Sequence, residues 1–151
     1  MIRSQSLHSL VLAIGLGDAC LLWSPAAPDI REVAKGGAPV TSVAWDLSGT
    51  VLAVGKGDSE VQLWDATRMR RMRTLRGHTA RVTSIAWARG RLGGSVVSTA
   101  GRDAAVLHHD VRVKEHVVGV ARGHDGEICG LKYSPDGSML ASGGNDNKVP
   151  L

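Results

Sequence analysis

Val61-Gln62-Leu63-Trp64-Asp65 follows the run Thr41-Ser42-Val43-Ala44-Trp45, and the pair of phrases returns. Thr83-Ser84-Ile85-Ala86-Trp87 repeats the first phrase, and Val106-Leu107-His108-His109-Asp110 stands where the second is due. A third copy opens at Cys129-Gly130-Leu131-Lys132-Tyr133. The aromatic residues that end these runs, Trp45, Trp87 and Tyr133, lie 42 and 46 residues apart. Gly77-His78 and Gly123-His124 are also 46 apart, and Trp23 precedes Trp64 by 41. A period of this size marks a repeated supersecondary unit that buries its faces against its neighbours.

Each copy reads as four short strands. In the clearest copy they fall at roughly 40–46, 51–55, 60–65 and 70–76, apolar in content and bounded by Gly and Asp. Asp46-Leu47-Ser48-Gly49 and Ser134-Pro135-Asp136-Gly137 read as tight turns, because Pro presets φ and Gly accepts a positive φ. The matching loop of the other copy, Ala88 to Gly94, is longer by three residues, and insertions in repeats map to such loops. No stretch sustains a 3.6-residue apolar period, so helix is at most a minor element.

With its Gly-His and Trp-Asp marks, this repeat resembles the WD40 repeat, whose units are the four-stranded blades of a β-propeller. The expectation is an all-β WD40 propeller fragment. It places a partial first blade at 1–35, a second at 36–76, a third at 77–122 and a truncated fourth at 123–151. About three and a half blades do not close a ring, so the sequence is expected to be part of a longer propeller, with apolar faces bare at both ends.

Composition narrows the function. Eighteen basic residues against fourteen acidic ones leave a net charge of +4. Nucleic-acid binders combine a basic face with stacking aromatics, whereas this chain has no Phe and one Tyr. Arg68, Arg70, Arg71, Arg73 and Arg76 crowd one outer strand. They read as a charged edge that discourages edge pairing, with binding of an acidic partner or a nucleic acid as the remoter alternative. Cys20 and Cys129 lie in apolar strands without metal-ligand spacing; reduced core thiols fit a nuclear or cytoplasmic protein. Leu10 to Leu16 after Arg3 has the look of a leader peptide, but it is short and in register with Trp23, so it reads as a strand. No apolar run approaches the length that spans a bilayer as a helix.

Some residues look catalytic. His78, Ser98 and Asp103 have the types of a hydrolase triad. Yet Asp58 lies six residues before Trp64, Asp103 six before His109, and Asp146 six before the next expected position; His124 and Ser142 supply the other types again. A repeated register predicts a structural network of imidazole, strand hydroxyl and hairpin carboxylate beneath the Trp, whereas a catalytic triad occurs once. Adjacent strand residues point to opposite faces, so His108 and His109 do not share a metal ion. Gly15-x-Gly17 and Gly55-x-Gly57 continue into no phosphate-binding motif. The reading assigns no catalytic residue, no metal and no cofactor.

A narrower resemblance rests on Val61-Gln62-Leu63-Trp64-Asp65, Ala80-Arg81-Val82, His108-His109-Asp110-Val111-Arg112-Val113 and Ser142-Gly143-Gly144-Asn145-Asp146-Asn147. These resemble the Fizzy and Fizzy-related proteins, seven-bladed WD40 activators of the anaphase-promoting complex, from about Val11 to Val149. The resemblance implies an adaptor rather than an enzyme. It would recruit substrates carrying the destruction box or the KEN box and activate the ubiquitin ligase in cell-cycle control. It maps Ile14 and Ile30 to the wall of the pocket for the destruction-box leucine, where burying the leucine is worth about 1.5–3 kcal/mol. It maps Asn145 to the KEN-box surface, where an amide both donates and accepts. Core packing for the two isoleucines and a turn role for Asn145 remain equally open. The family's ligase-docking segments, the C-box and an isoleucine-arginine tail, match nothing here, and Met1 to Leu10 does not match its lead-in. A general WD40 interaction scaffold is the alternative.

Overall fold

The computed structural model describes residues 1–5, 10–89 and 94–150. Most of the expected insertion at Ala88 to Gly94 therefore lies outside the described residues. All regular structure among the described residues is strand. The first sheet holds β1 (Ile2–Gln5), β2 (Leu12–Leu16), β3 (Ala19–Ser24) and β4 (Ala27–Val33), hydrogen-bonded in that order. The second holds β5 (Val40–Trp45), β6 (Val51–Lys56), β7 (Val61–Asp65) and β8 (Arg70–Leu75). The third holds β9 (Val82–Trp87), β10 (Val96–Gly101), β11 (Ala105–Asp110) and β12 (Val117–Arg122), and β13 (Ile128–Tyr133) pairs with β14 (Leu140–Gly144) in the fourth. All pairings are antiparallel meanders.

The first sheet is more complete than the sequence suggested. Met1 to Gln5 lacks the repeat's apolar pattern, yet Ile2–Gln5 forms β1 by pairing with β2, with Arg3 opposite Ile14. The innermost strands β1, β5, β9 and β13 stand side by side. One hydrogen bond recurs between them. The Trp45 indole N–H donates to the Ser4 carbonyl and the Trp87 indole N–H to the Ala44 carbonyl, each at 3.2 Å. Tyr133, third in that register, instead shares a hydrogen bond with Ser98 Oγ at 2.7 Å. The strand-ending aromatic is thus the staple that fixes each blade to the one before it.

The core lies between the sheets. Ala13, Cys20, Leu22 and Val33 from the first meet Val43, Leu52 and Val54 from the second. Ala53, Val61, Leu63 and Leu75 on the other face of the second meet Val82, Ile85 and Val97. Strand alternation sends successive residues to opposite faces, so each inner blade reads as nearly continuous apolar sequence. Burial pushes the Cys20 thiol up to about 12 despite a nearby backbone hydrogen bond. Cys129, expected in the core, is exposed; it sits on the outward face of the two-stranded fourth sheet. The turn glycines Gly49 and Gly137 take φ of 71° and 75°, as the turn chemistry requires.

Candidate functional site

The hairpins joining the second and third strands of each blade gather at one rim, together with the linkers between blades. Asp58-Ser59, Asp103-Ala104 and Asp146-Asn147 occupy equivalent hairpins, and Ser59, Ala104 and Asn147 all adopt a left-handed φ between 59° and 79°. The preceding Asp makes this possible by accepting the amide two residues on, at 3.4 Å for Asp103 and 3.1 Å for Asp146.

Behind two of these hairpins lies the expected polar network. In the fourth blade, His124 Nδ1 meets the Asp146 carboxylate at 2.9 Å and His124 Nε2 meets Ser142 Oγ at 2.9 Å. Burial works against the charge on Asp146, but His124 and the Asp125 and Lys148 amides outweigh it and hold the carboxyl at about 2. In the third blade, His78 Nδ1 lies 3.0 Å from both Asp103 oxygens, and His78 Nε2 lies 2.8 Å from Thr99 Oγ1. Burial likewise opposes the Asp103 charge, and the Thr79 amide and His78 overcome it, lowering that carboxyl.

Two assignments need correction. Ser98 is not the network hydroxyl; Thr99 is. Ser98 is fully buried but faces the fourth blade, bonding His108 Nδ1 at 2.7 Å and the Tyr133 hydroxyl. Thr99 stands opposite Ile85 on β9, as Ser142 stands opposite Leu131 on β13. The spacing of Ser142-Gly143-Gly144 against Thr99-Ala100-Gly101 carried this signal. The second correction concerns Asp58 and Trp64. Asp58 is exposed and, among the described residues, accepts the Glu60 amide alone, at 3.5 Å. The Trp64 indole donates to Gln62 Oε1 at 3.1 Å. The second blade has no such network, because Gly36-Gly37 replaces Gly-His and Val54 fills the hydroxyl position.

Lys56, which sequence reasoning passed over, takes over there. It is 1% exposed, and Nζ donates to the carbonyls of Asp18, Ala34 and Gly36 at 3.0, 3.3 and 3.1 Å. All three N–H bonds of the ammonium are used. It ties the rim hairpin of the first blade to the linker that enters the second.

Asn145 is exposed at this rim, one residue beyond β14. Its backbone N–H donates to the Glu127 carbonyl at 3.0 Å. A side chain at Gly126 would collide with Asn145 Oδ1, so Gly126 leaves that amide its room. Arg81 clamps Glu127 with two parallel hydrogen bonds of 2.8 Å, bridging the third and fourth blades beneath the turn. Ile14 pairs with Leu21, which pairs with Glu32. Ile30 lies two residues before Glu32 and so shares their face, the outer face of the first sheet; it is 62% exposed and Ile14 is half-buried. The two isoleucines therefore share an open apolar face remote in sequence from Asn145.

The arginine-rich strand β8 is largely committed. Arg68 pairs with Asp65 and Arg76 with Glu60, while Arg73 donates to the carbonyls of Val111 and Lys114. Arg70 and Arg71 stay exposed. Among the described residues no group of three or more His, Cys, Asp or Glu is placed to hold a metal ion, and no helix is long and apolar enough to cross a membrane.

Residues 21–90 match the family model of the WD40 domain of anaphase-promoting complex subunit 4, and residues 115–151 match the WD domain, G-beta repeat. Arabidopsis thaliana Protein FIZZY-RELATED 2 is 45% identical over 92% of the chain. Cell division cycle 20.4, cofactor of APC complex, from the same plant, is 44% identical over 93%. The chain spans 28% and 32% of the lengths of these two relatives. A chain in a crystal structure of the mitotic checkpoint complex superposes with a TM-score of 0.91 at 36% identity, covering 98% of this chain and 44% of that one. Over more than nine-tenths of its length the chain is thus a homologue of part of the Fizzy-related and Cell division cycle 20 WD40-repeat proteins.

Proposed function

We propose that this chain contributes the opening blades of a degron-reading propeller, a substrate adaptor and activator of the anaphase-promoting complex acting in nucleus and cytoplasm. Its work is recognition, without covalent chemistry. The observation that carries the reading is Asn145. It is exposed at the rim, its backbone is fixed by Glu127, and Gly126 clears its side chain. A side-chain amide held this way offers one donor group and one acceptor to a peptide amide such as the KEN-box asparagine. The apolar face bearing Ile14 and Ile30 supplies one wall for a destruction-box leucine; the facing wall comes from another blade.

Competition tests this reading. The chain is added to a ubiquitylation reaction driven by an intact Fizzy-related protein on a KEN-box substrate. The native chain is expected to sequester substrate and lower its modification, and Asn145→Ala to relieve that inhibition. Equal inhibition by both chains, or none by either, would count against the proposal.

A further inference from the structure

In the third blade the polar network does not stop at the hydroxyl. Thr99 Oγ1 lies 2.9 Å from His109 Nε2, His109 Nδ1 lies 2.9 Å from His116 Nδ1, and His116 Nε2 accepts the backbone N–H of Arg76 at 3.4 Å. His109 stands in the register where the second blade has Trp64. An indole has one N–H and no acceptor, so a Trp there would end the chain; an imidazole extends it. His109 is 1% exposed.

The direction of every proton follows from the two ends. Asp103 only accepts, so His78 Nδ1 donates to it and His78 Nε2 is bare. Thr99 O–H then donates to His78, and Thr99 Oγ1 accepts from His109 Nε2–H. His109 Nδ1 is therefore bare and accepts from His116 Nδ1–H. His116 Nε2 is bare in turn, as the Arg76 N–H donating to it requires. All five links run one way when each imidazole carries a single proton. An added proton on His109 sets two N–H groups against each other at His116. One on His116 repels the Arg76 amide.

We propose that this chain of hydrogen bonds is a proton-sensitive latch holding the linker between the second and third blades, released when His109 or His116 gains a proton. Arg76 and His78 both belong to that linker, so both ends of the chain hold it. The charged surroundings favour the neutral state. Arg73 reaches over from β8 to the carbonyls of Val111 and Lys114, in the loop that carries His116. Burial is the main cause that holds His109 down to about 3, helped by His116, His78, His108 and Arg73. Burial and Arg73 lower His116, against the opposing charge of Glu115. Asp110, next along β11, is taken up by Arg112 and Asp103 by His78. His108 faces away, bonded to Ser98.

The sign is that of a depressed histidine. Between about pH 3 and the ordinary histidine value of about 6.5, the unfolded chain binds a proton at position 109 that the folded chain refuses, so stability falls as the solution is acidified. Equilibrium urea unfolding of the full chain at pH 7.5 and 5.5 tests this, comparing native protein with His109→Trp. The native unfolding constant should rise about tenfold more than that of the variant, the factor of one pH unit below the ordinary value. An equal pH response in both would overturn the proposal. Imidazole 15N shifts of the native chain provide a test that needs no variant. They should show His78 and His116 as Nδ1–H tautomers and His109 as the Nε2–H tautomer at pH 7.5, with His109 still neutral at pH 6. A protonated His109 at that pH, or His116 as the Nε2–H tautomer, would contradict it.

Discussion

Ser98 and Thr99 are neighbours in sequence and opposites in role, since a strand turns successive side chains to opposite faces. Thr99 joins His78 to His109 within the third blade, whereas Ser98 joins His108 to Tyr133 across to the fourth. Replacing Thr99 by Val keeps the shape and leaves two buried imidazole nitrogens without partners. We expect Thr99→Val to lose about 2–4 kcal/mol, one to two desolvation penalties. Ser98→Ala should lose less, about 1 kcal/mol, because Tyr133 lies nearer the edge of the stack. Urea denaturation of the two variants decides the order; a larger loss for Ser98→Ala would reverse the assignment of the network hydroxyl.

At the scale of the element, each blade solves the same problem with what its sequence offers. The linker into a blade passes over the hairpin, and its backbone needs partners. The third and fourth blades use His with Asp; the second uses Lys56. Lys56→Met removes three donors from three carbonyls, and we expect a loss of about 2–3 kcal/mol, seen as a lower urea midpoint. No loss would mean that water satisfies those carbonyls equally well. Strands were legible because the repeat sets one copy against another: 51–55 was read where β6 (Val51–Lys56) stands. The network register was legible through Asp103 and Asp146. The second blade's departure was half visible, since Gly36-Gly37 already lacked a His. The replacement was not, because a buried Lys partnered only by carbonyls leaves no mark in sequence pattern. β1 was illegible for a related reason: backbone pairing of a polar stretch has no apolar period to read.

Across the whole molecule, the sheets cover one another's faces but not those at the ends. Leu16, Trp23 and Ile30 on the first sheet are 57%, 39% and 62% exposed. The outer strand β12 shows Val118 and Val120 at 58% and 53%. Apolar surface of this extent and an edge strand charged only at its last residue, Arg122, favour association. Sedimentation velocity over a concentration series should therefore show self-association of the 151-residue chain, reduced by Trp23→Glu. A monodisperse monomer throughout would show that these faces are less adhesive than their composition implies.

The same open stack presents the Asn145 rim intact, and in the function proposed above this rim reads an asparagine-bearing degron. Fluorescence anisotropy of a labelled peptide containing Lys-Glu-Asn, titrated with the chain, tests it most directly. Loss of a side-chain amide that bonds the peptide is worth about 1–1.5 kcal/mol. Saturable binding is therefore expected, weakened roughly tenfold in Asn145→Ala and unchanged in the β8 variant Arg71→Ala. Binding that is indifferent to Asn145, or lost instead with Arg71, would contradict it.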